Sequence, residues 1–270
     1  MVWLENLPKG ARRSRRNLMQ IGAMTASAIF AGLMTTPASA KSHKPGKGDG
    51  PPGKPMCFLK GTRIRTADGD KKIEDLAVGD LLPGLFGGIR PNQWIGRYSF
   101  RRPDPTKAWV TDFLPVRVAR SALGLDIPST DLCITRGHAL FIDGLLVPVC
   151  NLINGRTVTI YDAGDVDHLE YFHLKLPTHD VIHAEDTPCE TLVYLDENAV
   201  NFAEYLRQGG PPETEEARCA PWAGFGRRVE MKSRFRSAIS PWVDRREKLD
   251  VIRDQLEEGA IVLTRDLERV

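Results

Sequence analysis

A cysteine stands where the composition of the chain changes abruptly, and it is the residue best suited to covalent chemistry. The sixteen residues before it, 41–56, read KSHKPGKGDGPPGKPM, in which only Met56 is a large apolar residue. From Cys57 onward the chain is rich in Val, Ile, Leu and Thr. A thiol is a strong nucleophile near neutral pH, and the Cys57 sulfur can attack the Met56 carbonyl carbon through a five-membered ring. That attack converts the Met56-Cys57 peptide bond into a thioester.

Short strands are predicted to position this cysteine. Brief apolar runs, separated by Gly, Asp and Pro, have the lengths and spacing typical of an all-β domain. The runs are Thr62 to Thr66, Lys72 to Leu82, Pro115 to Ala119, Asp131 to Ile134, Leu140 to Val149, Thr157 to Tyr161, Leu169 to Leu176, Val181 to Ala184 and Glu190 to Leu195. Asp68-Gly69 and Asp143-Gly144 predict hairpin turns. The preceding residues 41–56 predict a flexible Lys/Gly/Pro linker.

A linker and an α-helical tail are predicted for residues 202–270. A polar break rich in Gly, Pro and Glu covers residues 208–217. The two helices that follow are predicted over Arg227 to Ile239, and from Ser240 as N-cap through Pro241 to a stop at Gly259. The basic residues of the first helix are typical of a solvated face. Docking on a membrane surface or an acidic partner is the alternative.

Residues 1–40 have the layout of a signal peptide. A basic stretch precedes a modestly apolar run over 18–34, and Ala38-Ser39-Ala40 forms an A-x-A cleavage site ending at Ala40. Arg15 and Arg16 resemble the twin-arginine export signal, and an ordinary secretory signal or a retained anchor are the alternatives. We therefore expect export machinery as a partner and a periplasmic or extracellular location. Processing before export would instead keep the domain in the cytoplasm.

The charge balance argues against a general nucleic-acid binder. Of 37 basic residues, five lie in the first forty positions, together with one of the 35 acidic residues, which leaves 32 bases against 34 acids. Such a chain lacks the excess of cations that neutralises phosphates. No later run reaches the roughly 18 apolar residues that a spanning helix needs, so no membrane span is expected in the mature chain.

Three segments resemble a known family. The block CFLKGTRIRTADGDKKIEDLAVGDLL, residues 57–82, is similar to the opening motif of Hint domains, the self-processing modules of hedgehog proteins and inteins. The stretch ITRGHAL, residues 134–140, resembles their second motif, and LEYFHLKLPTHDVIHAED from Leu169 resembles later strands of a bacterial subgroup. Three motifs in order are strong support. The resemblance implies a Hint fold over residues 57–201.

The resemblance also implies roles for individual residues. Thr135 would hydrogen-bond the scissile peptide, and His138 would be the general acid for the leaving nitrogen, a task suited to a histidine whose pKa lies near working pH. Water, a thiol or another small nucleophile would then resolve the thioester. The product is the N-terminal segment ending at Met56, so the chain is its own single-turnover substrate.

The sequence also departs from the family pattern. Splicing inteins end in a His-Asn pair followed by Cys, Ser or Thr, and this chain has no such ending, so splicing is not expected. His173 stands where inteins usually carry an aspartate, and His179-Asp180 stands where many carry His-Asn. These three residues are therefore candidates for altering how the thioester is made or resolved. Nothing resembles the sterol-recognition region of hedgehog proteins.

Other interpretations of these residues stay open at this stage. The chain can be a catalytically idle all-β binding or interaction module that keeps the fold. The four histidines considered for a metal site are His168, His173, His179 and His183, but strand geometry does not make them converge, so we expect neither a metal nor another cofactor. The remaining cysteines, Cys133, Cys150, Cys189 and Cys219, either form up to two disulfides or stay reduced.

Overall fold

A computed structural model describes residues 56–102, 104, 106–193, 201, 207, 218–223, 227–241, 244 and 246–267. Within these residues, fourteen strands are followed by two helices. The strands are β1 (Phe58–Leu59), β2 (Arg63–Thr66), β3 (Gly69–Lys72), β4 (Leu81–Gly84), β5 (Gly88–Pro91), β6 (Trp94–Arg101), β7 (Val116–Val118), β8 (Leu132–Ile134), β9 (Ala139–Ile142), β10 (Leu145–Pro148), β11 (Val158–Ile160), β12 (His168–Lys175), β13 (Val181–Ala184) and β14 (Thr187–Glu190). The predicted signal, with Arg15, Arg16 and Ala40, and the linker as far as residue 55 lie outside the described residues.

Two six-stranded sheets and one hairpin contain these strands. The first sheet has the order β11-β7-β8-β1-β12-β6, and the second has the order β10-β9-β14-β13-β2-β3. Strand β1 lies inside the first sheet, where Phe58 pairs with Phe172 of β12 and with Ile134 of β8. This register places Cys57, the residue before β1, level with His173 inside β12 and with Thr135 just after β8.

The main core draws side chains from both sheets. The first sheet contributes Phe58 and Ile134, and the second contributes Ile64, Leu140 and Ile182. All five residues are fully buried. Each fully buried side chain of this kind stabilises the fold by roughly 1.5–3 kcal/mol. The shared cluster fixes the two sheets against each other around the start of β1.

The predicted hairpins are present, and two predicted strand runs are wrong. Asp143 and Gly144 both have positive φ, of 49° and 80°, as a two-residue primed turn between β9 and β10 requires. The first hairpin turns one residue earlier than predicted, because Gly69 already pairs with Thr66. The run Lys72 to Leu82 is not one strand, since a 3-10 turn, Ile73–Asp75, interrupts it. The strand predicted to begin at Glu190 is also wrong, because Glu190 is the last residue of β14.

The tail contains two helices, α1 (Arg227–Ile239) and α2 (Lys248–Leu267). The bounds predicted for the first are correct, whereas those predicted for the second are wrong. Ser240 does not cap α2: its hydroxyl donates to the Ser237 carbonyl at the end of α1 (2.9 Å). Gly259 does not stop α2, because the helix continues through it to bury Ala260.

Helix α2 is packed into the main core. Leu249, Ile252 and Leu256, which are nearly fully buried, belong to the same apolar cluster as Phe58. Arg236 of α1 forms an ion pair with the buried Asp250 carboxylate of α2. The tail is thus joined to the β domain and not only appended to it. Among the described helices, none is long and apolar enough to cross a membrane.

Candidate active site

Cys57 and Thr135 are joined by two hydrogen bonds, one to the Thr135 side chain and one between backbone groups. The Cys57 N–H donates to the Thr135 hydroxyl oxygen (2.7 Å), and the Thr135 N–H donates to the Cys57 carbonyl (2.8 Å). Thr135 directly follows β8, which pairs with β1. The nitrogen of Cys57 belongs to the Met56-Cys57 peptide bond. The hydroxyl of Thr135 therefore contacts the peptide bond that the sequence analysis predicts to be cleaved.

A tight turn carries His138 to the same place. Its backbone N–H donates to the Thr135 carbonyl (3.0 Å), and its Nε2 lies 3.2 Å from the carbonyl oxygen of Glu190. The imidazole is fully buried, with its centroid 4.3 Å from that of Phe58. Because Phe58 follows Cys57, this packing holds the imidazole ring against the residue next to Cys57.

Burial sets the protonation state of His138. It lowers the pKa of the imidazole to about 3, although backbone hydrogen bonding to Glu190 and Cys57 acts in the opposite direction. The ring is therefore neutral at physiological pH. The sequence-based expectation of a pKa near working pH is wrong for this folded state. A neutral ring still has one N–H to donate and one lone pair to accept a proton.

His173 stacks on His138. Their centroids are 5.0 Å apart and their planes differ by 27°. His173 lies on β12 opposite Gly96, is fully buried, and neither ring nitrogen has a hydrogen-bond partner among the described residues. Burial, with His138 and His179 nearby, lowers its pKa well below the ordinary value. This position therefore supplies a neutral ring, and no carboxylate charge to stabilise a protonated His138.

His179 lies in the same buried region. Its Nδ1 accepts the backbone N–H of Cys219 (3.0 Å), and its Nε2 is 3.7 Å from the Oε2 atom of Glu190. Both side chains are fully buried. Arg218 places its Nη1 atom 3.9 Å from the same carboxylate oxygen.

Sequence reasoning missed Glu190 and Arg218. Glu190 was predicted to be the first residue of a strand. A charged residue at the start of a predicted strand indicates an exposed strand end and not a buried side chain. Arg218 follows the polar break, at the start of the described segment 218–223. No sequence signal connects two residues so far apart, although an acid inside the apolar run TPCETL was a visible anomaly.

Asp180 is committed to a structural contact. Its carboxylate accepts the backbone N–H groups of Phe86 (2.9 Å), Gly87 (2.7 Å) and Val181 (2.7 Å). These bonds tie the turn between β4 and β5 to the start of β13. A Cβ atom on Gly84 would lie 2.3 Å from Asp180 Oδ2, so only glycine permits this approach. The carboxylate of Asp180 thus accepts three backbone hydrogen bonds that hold this turn in place.

Among the described residues, the remaining cysteines and histidines form neither a disulfide nor a metal cluster. None of the five cysteines is in a disulfide. Burial raises the pKa of Cys133 and of Cys219 to about 12, so both thiols are protonated and weakly reactive. The part of the chain that the structure describes contains no group of three His, Cys, Asp or Glu residues placed to hold a metal ion. His168 instead contacts the hydroxyl of Ser99 (2.6 Å), on the outer pair of strands in the first sheet.

Comparison with known proteins points to a single family. A profile of the Hint domain family matches residues 56–196, which is more than half of the chain. The match contains both motifs that meet at Cys57. No curated protein matches the chain.

Solved structures similar to this chain include two inteins and an intein-like domain. The gp41-1 intein is 10% identical, with 50% of this chain and 98% of that chain covered and a TM-score of 0.36. A DnaB intein from Synechocystis is 13% identical, with 52% and 100% covered and a TM-score of 0.37. A bacterial intein-like domain from Clostridium thermocellum is 14% identical, with 51% and 99% covered and a TM-score of 0.35.

Proposed function

This chain belongs to the Hint domain family, and we propose that it cleaves its own Met56-Cys57 peptide bond through a thioester, without splicing. One observation carries the proposal: the Cys57 nitrogen, which must leave, is hydrogen-bonded to the Thr135 hydroxyl (2.7 Å) at the turn that also holds His138. The substrate is the chain's own N-terminal segment. The reaction is a single turnover.

In the first step the sulfur of Cys57 attacks the carbonyl carbon of Met56. A C–S bond forms, the C–N bond breaks, and the proton lost by the thiol is matched by the proton that the nitrogen gains. Thr135 orients that nitrogen through its hydroxyl. His138 is neutral, so it acts by accepting one proton and donating another and not as a standing imidazolium.

Cleavage without splicing also agrees with the residues at His179-Asp180. The chain has no His-Asn pair, and the aspartate of His179-Asp180 is held by three backbone donors. An Asn side chain that cyclises is therefore missing from the position where the family motif carries one. A thioester formed at Cys57 then has a small nucleophile as its acceptor.

The proposal includes export before processing. Signal removal after Ala40 leaves the linker attached to the domain, and slow or nucleophile-triggered cleavage at Cys57 follows in the periplasm or outside the cell. Fractionation of cells expressing a C-terminally tagged chain tests this order. A tag found mostly in the cytoplasm, on a fragment that starts at Cys57, would show that processing comes first.

An idle binding module is the second candidate, and one surface feature favours it. The hairpin of β4 and β5 exposes four large apolar side chains, which are Leu81 (46%), Leu85 (47%), Phe86 (53%) and Ile89 (61%). Exposed apolar groups that adjoin one another suit a contact with a partner. This candidate requires no bond to break at residue 57.

Intact-mass analysis of the purified chain separates the two candidates. Self-cleavage yields a fragment of residues 57–270, and its amount rises when hydroxylamine or a thiol is added. The matched control is Cys57→Ala, which retains the fold and lacks the nucleophile. A product that starts only at Lys41, unchanged by hydroxylamine, would support the idle module and exclude cleavage.

A further inference from the structure

A buried carboxylate at the turn that carries His138 and Ala139 has one oxygen hydrogen-bonded and the other without a hydrogen bond. Glu190 is 0% exposed. Its Oε1 accepts the backbone N–H of Ala139 (2.8 Å), whereas its Oε2 has no hydrogen-bond partner among the described residues. A buried oxygen of this kind calls for a ligand, because an unpaired polar atom in a protein interior costs roughly 1–3 kcal/mol.

Two side-chain nitrogen atoms lie close enough to Glu190 Oε2 for one water molecule to bridge them to it. His179 Nε2 is 3.7 Å away and Arg218 Nη1 is 3.9 Å away, too far for direct hydrogen bonds. Because His179 Nδ1 accepts the Cys219 N–H, the ring proton of a neutral His179 is on Nε2. A water can thus accept from both donors while it donates to Glu190. Three polar partners are the usual number for a buried water.

The guanidinium of Arg218 is held in place by its own segment. It lies over the ring of Trp222, 4.1 Å from the centroid. Residues 218–223 are in turn fixed on β10, because the Leu146 N–H donates to the Pro221 carbonyl (2.8 Å) and Leu146 accepts the Ala223 N–H (2.8 Å). This segment lies beyond the matched family range of 56–196.

Glu190 also connects to the residue that contacts the nucleophile. Its backbone carbonyl oxygen lies 3.2 Å from His138 Nε2, and its carboxylate accepts the N–H of Ala139, the residue after His138. We propose that Glu190, His179 and Arg218 bind the water that hydrolyses the Met56-Cys57 thioester, and that Glu190 is the general base for that water. The inference rests on the proposed function and identifies its acceptor.

The step balances as follows. The water oxygen attacks the Met56 carbonyl carbon, and one water proton passes to Glu190 Oε2. The C–S bond breaks, and the Cys57 thiolate takes that proton back from Glu190, which leaves a free thiol and a carboxylic acid at Met56. Burial raises the pKa of Glu190 above its ordinary value of 4.5, which makes the ionised form a better base than an exposed glutamate.

The variant Glu190→Gln tests this role in the full chain. The amide oxygen of Gln can still accept the Ala139 N–H, but the side chain cannot accept a proton. Hydroxylamine trapping of the thioester is expected to stay within about 3-fold of wild type, whereas hydrolysis in thiol-free buffer falls about 100-fold or more. The matched control is Glu185→Gln, which alters another buried carboxylate, one paired with Arg63, and leaves both rates unchanged.

A pH profile and a second variant make the test decisive. Wild-type hydrolysis is expected to rise with pH through an inflection above 4.5, and Glu190→Gln lacks that inflection. If Glu190→Gln does not fold, Arg218→Met is used, and it slows hydrolysis about 10-fold with unchanged trapping. If Glu190→Gln still yields the trapped thioester and hydrolyses it at the wild-type rate, the water site is refuted and the proposed function is not. A wild-type chain that yields no trapped thioester refutes the proposed function and this inference with it.

Discussion

Replacing Thr135 by valine tests the contact that carries the proposed function. Valine has about the same volume as threonine but no hydroxyl, so the change removes the acceptor 2.7 Å from the Cys57 nitrogen and little else. Leaving that buried N–H unpaired costs roughly 1–3 kcal/mol of folding stability. This loss alone does not slow cleavage, because a bond present equally in the ground state and the transition state leaves the barrier unchanged.

Slower cleavage is expected because the bond changes during the reaction. As the Cys57 nitrogen becomes an amine, its lone pair is no longer delocalised into the carbonyl group, so the Thr135 hydroxyl can donate to it. If this added bond contributes about 1.4–2.8 kcal/mol in the transition state, Thr135→Val forms the thioester about 10- to 100-fold more slowly. Thr135→Ser keeps the hydroxyl and is expected to retain most of the rate.

The assay follows the fragment of residues 57–270 by intact mass, with and without hydroxylamine. Urea unfolding of each variant, made in the Cys57→Ala background, measures the stability loss separately. The matched control is Thr157→Val, which removes a buried hydroxyl from the turn before β11. Equal rates in wild type and Thr135→Val would refute the assigned role, as would a Thr135→Ser rate as slow as that of valine.

Three further predictions concern chemistry, pH and packing. Cys57→Ala is expected to abolish cleavage without unfolding the domain, and Cys57→Ser to leave at most slow ester chemistry; wild-type cleavage by Cys57→Ala, measured by intact mass, would point to an outside protease. Burial lowers the pKa of His138 from 6.5 to about 3, so the unfolded chain binds the proton more tightly than the folded chain does. The free energy of unfolding should therefore fall by up to about 5 kcal/mol as the pH is lowered from 6.5 to about 3. Urea titrations in the Cys57→Ala background should show a smaller fall for His138→Gln, and an identical fall would contradict the burial of a neutral ring. Gly84→Ala should destabilise the domain by about 1–3 kcal/mol, because the added methyl group collides with Asp180. Gly259→Ala should stabilise the domain by about 0.5–1 kcal/mol, because the added methyl group on α2 meets open space. Thermal unfolding measures these opposite changes in stability.

Local motifs were sufficient to predict that Cys57 and the turn of Thr135 and His138 lie together. Cys57 was visible as a change in composition, and Thr135 and His138 lie three residues apart in one motif, so a short stretch of sequence contains their geometry. The protonation state was not predictable in the same way. It depends on complete burial of His138 against Phe58 and His173, and burial follows from how distant strands pair.

The partners of Glu190 could not be predicted for the same reason, and neither could the place of the tail. A boundary at residue 201 divides what the structure joins: Arg218 reaches Glu190, and Leu249, Ile252 and Leu256 enter the core of the β domain. At roughly 1.5–3 kcal/mol for each buried side chain, these three residues alone contribute about as much as the net stability of an ordinary domain, about 5–15 kcal/mol. The amphipathic stripe of α2 was visible in the sequence, but its partner was not, since a stripe shows that a helix face is buried without showing against what. These described residues after the matched Hint range therefore belong to the folded unit that contains Cys57, and Arg218 places a cation next to the buried acid of that unit.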